Sequence, residues 1–219
     1  FNNIFSGAML VLTDNRIANV PSLRLNAYNF IPASGADIER IEVVLGPGAA
    51  LYGPNSANGV MHLITRSPFT SGGTNVQLGI GERSLRKGLI RHAATLTPQL
   101  ALKVSAQYYT GQDWEYDDPA ERAARAANPE LVERDFDIKR QSVEARLDYR
   151  PMDDLTAVLS YGYNSSDHIE MTGLGAGRAD GWTYNYVQTR LLYRDWFAQY
   201  YHNWSDAGKT FLYQSGQPI

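Results

Sequence analysis

From residue 73 onward the chain alternates apolar and polar residues in run after run, the period of a strand with one apolar face. In residues 74–81, Val76, Leu78 and Ile80 oppose Asn75 and Gln77. In residues 100–111, Leu102, Val104, Ala106 and Tyr108 oppose Lys103, Ser105 and Gln107. In residues 141–150, Val143, Ala145, Leu147 and Tyr149 oppose Ser142, Glu144, Arg146 and Asp148, and in 155–164, Ala157, Leu159, Tyr161 and Tyr163 oppose Thr156, Ser160 and Asn164. Rougher runs at 86–96, where His92 spoils a clean face, at 183–194 and at 196–203 bring the set to about seven strands.

The connections carry more information than the alternation. Very short ones at 97–99, 151–154 and near Asp195 alternate with mostly longer ones at 82–85, 112–139, 167–182 and beyond Trp204. In an up-and-down meander this places the tight turns at one end and the long loops at the other, the asymmetry of transmembrane barrels. Runs of about ten residues suit a tilted membrane strand. Tyr108, Tyr109, Tyr149, Tyr161, Tyr163, Tyr184, Tyr186, Tyr193 and Trp196 gather near strand ends, as interfacial aromatic girdles do. The polar faces, with Lys103, Glu144, Arg146, Asp148 and Arg190, fit a wet lumen. A soluble antiparallel sandwich also alternates; turn asymmetry, strand length and aromatic placement favour the membrane.

Residues 1–72 follow a different pattern. Short apolar runs are Met9 to Leu12, a piece around Leu23 and Leu25 between Pro21 and Pro32, and Ile41 to Leu45, which stops at Gly46-Pro47-Gly48. One helical turn is expected at 49–52, then turns at Gly53-Pro54-Asn55 and Asn58-Gly59, then a strand over 60–65 closed by Arg66. Ser67-Pro68 and Ser71-Gly72-Gly73 form a turn-rich joint. Of the 14 tyrosines only Tyr28 and Tyr52 precede Gly73, and all 4 tryptophans follow it. The expected division is therefore residues 1–72 and 73–219.

Composition narrows the function classes. A net charge of -3 offers no attraction for a polyanion, so nucleic acid is not an expected partner. With 0 cysteines there is no disulfide framework, thiolate metal site or cysteine nucleophile. No apolar stretch reaches the length of a membrane helix, and the mean hydropathy of -0.36 is uninformative for a barrel. Phe1 opens within apparently folded sequence and Ile219 ends without a clear stop, so the sequence reads as a piece of a longer chain.

The segment Asp37-Ile38-Glu39-Arg40-Ile41-Glu42-Val43-Val44-Leu45-Gly46-Pro47-Gly48-Ala49-Ala50-Leu51-Tyr52-Gly53 resembles the plug signature of TonB-dependent outer-membrane receptors. Its continuation, from Pro54 through Gly59 to Arg66, follows the same family order. Upstream, Asp14-Asn15-Arg16-Ile17 and Val20-Pro21-Ser22-Leu23-Arg24 also look like plug sequence. Signature positions are Glu39, Arg40, Glu42, Gly46, Pro47, Leu51, Tyr52, Gly53, Gly59 and Arg66. Leu45 and His62 depart from residues frequent in the family, a basic residue and an asparagine.

The resemblance implies a mostly-β protein: a small mixed α/β plug over 1–72, then the first strands of a 22-stranded transmembrane barrel over 73–219, incomplete in this sequence. It further implies a receptor of the Gram-negative outer membrane, embedded in lipid and working with TonB and its inner-membrane energising complex. Such a receptor imports a scarce ligand, by family prior an iron chelate such as a ferric siderophore, without enzymatic activity or a cofactor of its own. The alternative is a soluble or surface β-rich binding module with plug-like sequence.

Other chemistry is sparse. His62, His92, His168 and His202 lack ligand spacing, and Glu39 and Glu42 read as salt-bridged or solvated strand carboxylates. The cluster Asp113-Trp114-Glu115-Tyr116-Asp117-Asp118 is the most suggestive; Asp113, Trp114 and Asp117 are candidate ligand contacts, against the plainer reading of a solvated loop. A short helix should follow, with Asp118 as N-cap, Pro119 at the first position, Glu121 completing a capping-box pattern, and Asn128-Pro129 as the stop.

Overall fold

The computed structural model describes residues 9–20 and 28–219. The extended piece expected around Leu23 and Leu25, and the plug-like residues from Pro21 to Arg24, lie outside the described residues.

Strands β1 (Met9–Thr13), β2 (Arg16–Ile17), β3 (Ile38–Leu45) and β4 (Gly59–Thr65) form a sheet in the order β2-β1-β4-β3. β1 runs parallel to β4, and the other pairings are antiparallel. β1 is buried on both faces. Leu10 and Leu12 pack with Val60, Ile17 and Tyr52, while Val11 packs on the other side with Ala18, Ile31, Met61 and Leu63. Asp14 and Asn15 form the two-residue turn from β1 to β2 with φ of 48° and 68°, as a type I′ hairpin requires. β3 is the sheet edge, and its Val43 and Leu45 are 58% and 87% exposed.

The second sheet is an antiparallel meander of β5 (Gly73–Ile80), β6 (Arg86–Thr97), β7 (Leu100–Gln112), β8 (Asp137–Met152), β9 (Leu155–Thr172), β10 (Gly175–Tyr193) and β11 (Trp196–Asp206), each paired with the next. A short strand, β12 (Phe211–Leu212), pairs with the loop end of β10. Registry fixes the two faces. One cross-strand row runs Ile90, Ala106, Val143 and Tyr163, apolar and solvent-facing; the row one residue along runs Arg91, Ser105, Glu144, Gly162 and Tyr186, facing the first sheet. This follows directly from the two-residue period of the strand.

Three expectations need correction. Residues 167–182, read as a long loop, instead extend the β9–β10 hairpin, which turns at Gly173-Leu174. A bulge between Ala179 and Trp182 interrupts its register, and there the Gly181 N–H donates to Asp167 at 2.6 Å. Beyond the apolar belt a strand needs no apolar face, so its alternation fades while its ladder continues. Second, Tyr109, Tyr184 and Tyr186 do not join the outer girdles; registry points them inward. Third, Lys103, Glu144 and Asp148, expected to line a wet lumen, are 4%, 7% and 1% exposed, sealed beneath the first sheet.

The loop between β7 and β8 holds helix α2 (Pro119–Ala127), capped by Asp118, which accepts the Ala120 N–H at 2.8 Å. The capping box does not close. Glu121 is buried and takes two hydrogen bonds from Arg134, at 2.8 and 2.7 Å, because a bidentate charged pair outcompetes a single backbone N–H.

Candidate functional site

The charged inner face of the meander meets the plug sheet through two acidic plug residues. Asp37, immediately before β3, is 1% exposed and accepts from Arg91 Nε at 2.7 Å and Lys103 Nζ at 2.5 Å. Lys103 also donates to Thr65 Oγ1 at 2.8 Å and to the Arg66 carbonyl at 2.7 Å. Asp14, in the β1–β2 turn, accepts from Thr65 N and Oγ1 at 3.1 and 2.6 Å, with Arg146 at 3.6 Å and Arg190 at 4.0 Å. Burial alone would raise the Asp14 carboxyl, but Arg190 and Arg146, together with the Thr65 bonds, hold it below the ordinary value. Asp148 completes the network by pairing with Arg146 at 2.6 Å.

Toward the long-loop end the contact changes chemistry. Arg16, 0% exposed, donates to Tyr184 Oη at 2.7 Å and Asn203 at 3.1 Å, and lies over the Tyr186 ring. Tyr186 Oη donates to Glu144 at 2.8 Å. Farther up, buried Phe30 packs on Trp182 and His168, with ring centroids 5.0 and 5.1 Å apart. Carbonyls of the β1–β2 hairpin also accept from wall amides: Asp14 from Gln188, Asn15 from Gln199 and Ile17 from Asn203. The interface is thus ionic near the tight turns and aromatic near the loops.

Above Phe30 the inner wall holds a recess of about 310 Å³ lined by Asn29, Lys87, Gln107, Tyr109, Asp113, Arg140 and His168 among others. Arg140 spans wall and plug: Nε donates to Asn164 at 3.0 Å and Nη2 to the Ile31 carbonyl at 2.5 Å.

The signature residues cluster at the plug's free edge. Arg40 pairs with Glu42 at 2.8 Å and with Glu39 at 3.2 Å, all three exposed on β3. Gly46 and Gly53 take φ of 89° and 81° on either side of α1 (Ala49–Tyr52). This loop, with exposed Pro47, folds on Ser56, whose carbonyl accepts the Gly48 N–H at 2.9 Å. Leu51 is 87% exposed, whereas Tyr52 packs against the β1 core. Gly59 cannot be replaced freely: a Cβ there would lie 2.4 Å from the Val44 carbonyl oxygen. Arg66 keeps its side chain exposed and contributes its carbonyl to Lys103.

The loop candidates do not converge. Asp113 lines the recess, and its carboxylate accepts the Trp114 N–H at 2.7 Å. Trp114 is 75% exposed, with Arg83 over its ring at 5.0 Å. Asp117 belongs to a separate hollow beside α2 and pairs with Arg122 at 2.8 Å. Sequence reasoning placed Asp14 and Asp37 in plug-like segments without giving them a role, and missed Arg91 and Arg140, whose only signal was charge on a strand face.

A small sheet seated on the polar inner face of a meander whose outer face is apolar defines a plugged barrel wall. Residues 2–60 match the TonB-dependent Receptor Plug Domain. The vitamin B12 transporter BtuB of Vibrio vulnificus is 31% identical over 106 residues, covering 46% of this chain and 17% of that protein. The ferric enterobactin receptor PirA of Pseudomonas aeruginosa is 25% identical over 195 residues, covering 85% of this chain and 26% of that protein. The alcaligin outer-membrane receptor FauA of Bordetella pertussis superposes with a TM-score of 0.65 at 15% identity, over 89% of this chain and 30% of that one, and so shares the fold. Residues 2–60 thus carry the plug domain of TonB-dependent receptors, and the chain shares the fold of such receptors over most of its length; the matching relatives are receptors and transporters rather than enzymes. It spans about a quarter or less of the length of these curated relatives.

Proposed function

We propose that this protein is an outer-membrane importer of a scarce ligand, an iron chelate, which it binds at the long-loop end and releases to the periplasm when TonB, energised from the inner membrane, rearranges the plug. In this reading residues 1–72 are plug and 73–219 the first part of the wall. The observation that carries it is the two-faced meander. The outer face presents Val76, Leu78, Val104, Val143 and Leu159 to the surroundings, each at least 40% exposed, while the inner face spends its charges on the plug. An apolar outer face suits lipid and does not suit a soluble binding module. The exposed edge of β3 supports further wall strands closing around the plug. Relatives named as a ferric enterobactin receptor and a vitamin B12 transporter support import, and the former matches the larger share of this chain.

The test is uptake of radiolabelled iron chelates and cobalamin by a strain lacking the gene, with and without the gene restored and with and without TonB. Gene- and TonB-dependent iron uptake is the expected result. Cobalamin uptake alone would replace the ligand assignment, and uptake of neither would remove the import reading.

A further inference from the structure

The recess above Phe30 differs in chemistry from the rest of the wall. Lys87 Nζ, the Gln107 amide and Tyr109 Oη face it from β6 and β7, and none has a hydrogen-bond or ion-pair partner among the described residues. Arg140 reaches it from β8 with Nη1 uncommitted, since only Nε and Nη2 are bonded. These groups supply mostly donors, two of them permanently charged. The acidic lining residue, Asp113, has its carboxylate turned back to the Trp114 N–H. His168 is no free metal ligand: its Nδ1 meets Ser166 at 2.8 Å and its Nε2 meets Glu170 at 2.7 Å. The lining contains no thiol or thioether.

We infer that this recess takes an anionic, oxygen-rich arm of the ligand, catecholate or carboxylate, with Lys87 and Arg140 as its cationic contacts; the inference rests on the import reading above. The volume of about 310 Å³ lies at the small end for a ligand pocket and suits one arm of a chelate. Charge-assisted donors select oxyanions over neutral oxygens, and Lys87 and Arg140, which flank Tyr109 in one cross-strand row, supply two of them. A bare metal ion finds no ligand set here, so any metal enters through the organic ligand. Arg140 also holds the Ile31 carbonyl, so an arm that engages Arg140 contacts the group clamping the plug loop over Phe30.

The experiment uses the protein expressed from its complete reading frame and purified in detergent. Binding is measured for a ferric tris(catecholate), strongly anionic, and a ferric tris(hydroxamate), neutral. Lys87→Gln and Arg140→Gln are compared with Lys139→Gln, a neighbouring exposed lysine. Each recess substitution should weaken tris(catecholate) binding by at least about tenfold, the scale of one lost charged hydrogen bond, and leave Lys139→Gln at the wild-type value. Lys87 has no partner, so its variant should fold normally even if Arg140→Gln loosens the plug. Equal affinity for both probes, or full retention of tris(catecholate) binding by Lys87→Gln, overturns the inference while leaving import standing. Failure to bind either chelate, together with absent iron uptake in cells, overturns the import reading itself.

Discussion

The guanidinium of Arg16 in the plug lies 3.6 Å from the centroid of the Tyr186 ring on the wall. The contact depends on a third residue. Gly162, opposite Tyr186 on β9, leaves room for the ring to lie across the neighbouring strand; a Cβ there would sit 2.1 Å from Tyr186 Cε1. Gly162→Ala must therefore move the ring off Arg16 and disturb the bond to Glu144. The expected loss is about 1–3 kcal/mol of plug–wall stability, typical of overpacking. Urea unfolding of the plug, followed by the emission of Trp182 in a background where the other tryptophans are replaced by phenylalanine, measures it, and an unchanged midpoint would contradict this account.

Asp37 neutralises two buried cations from two different strands. Asp37→Asn leaves Arg91 and Lys103 underpaired at 5% and 4% exposure, and removing one partner of a buried pair costs about 3–5 kcal/mol. The variant plug should be cleaved by protease in detergent under conditions where the wild type resists. The double variant Asp37→Asn with Lys103→Met should recover part of the loss, because one uncompensated charge is gone.

His62 on β4 accepts the Asn15 N–H at its Nε2, 3.0 Å away, which requires a neutral ring. Burial lowers its pKa, and the net effect of Asp14, Glu42, Arg190 and Arg40 does not restore it. The unfolded histidine therefore takes a proton before the folded one. Plug stability should be full above about pH 6.5 and fall as pH drops through that value. Asp14 adds a second step lower down: its depressed carboxyl stabilises the fold above the ordinary aspartate range and stops doing so as acid protonates it. In His62→Gln the upper step should vanish from the unfolding profile and the lower one remain.

Much of this architecture is legible in the sequence. Alternation located β5, β7, β8 and the first half of β9 cleanly and β6 roughly, and Asp118-Pro119 with the Asn128-Pro129 stop located α2. Alternation failed at the upper β9–β10 hairpin, where Gly173, Gly175 and Gly177 and mixed polar residues hold a ladder that carries no apolar face. It also assigned Tyr184 and Tyr186 to the outside, since two tyrosines around Asn185 give no sign of which face is wet. The plug–wall pairs could not be read at all. Asp37 and Lys103 are 66 residues apart, and charge alone does not name a partner over that distance. The signature positions marked the plug's free edge, whereas the groups that hold the plug to the wall are Asp37, which opens the signature segment, and Asp14, which opens the upstream plug-like run; the motif gave neither a role.

The loop helix supplies a fourth prediction. The Glu121–Arg134 pair fastens α2 to the return segment, and Asp113 and Trp114 lead from the recess toward it. Deleting residues 113–128 from the complete receptor should weaken ligand binding while leaving the barrel heat-stable. Undiminished binding would reduce the loop to a solvated connection.

The central claim is that this meander is part of a closed, lipid-embedded wall around a plug. Gel mobility of the complete protein with and without boiling, after membrane fractionation, tests it most directly. The account predicts recovery with the outer membrane and a boiling-dependent shift, the behaviour of a detergent-resistant barrel. Recovery in the soluble periplasmic fraction with no shift would contradict it.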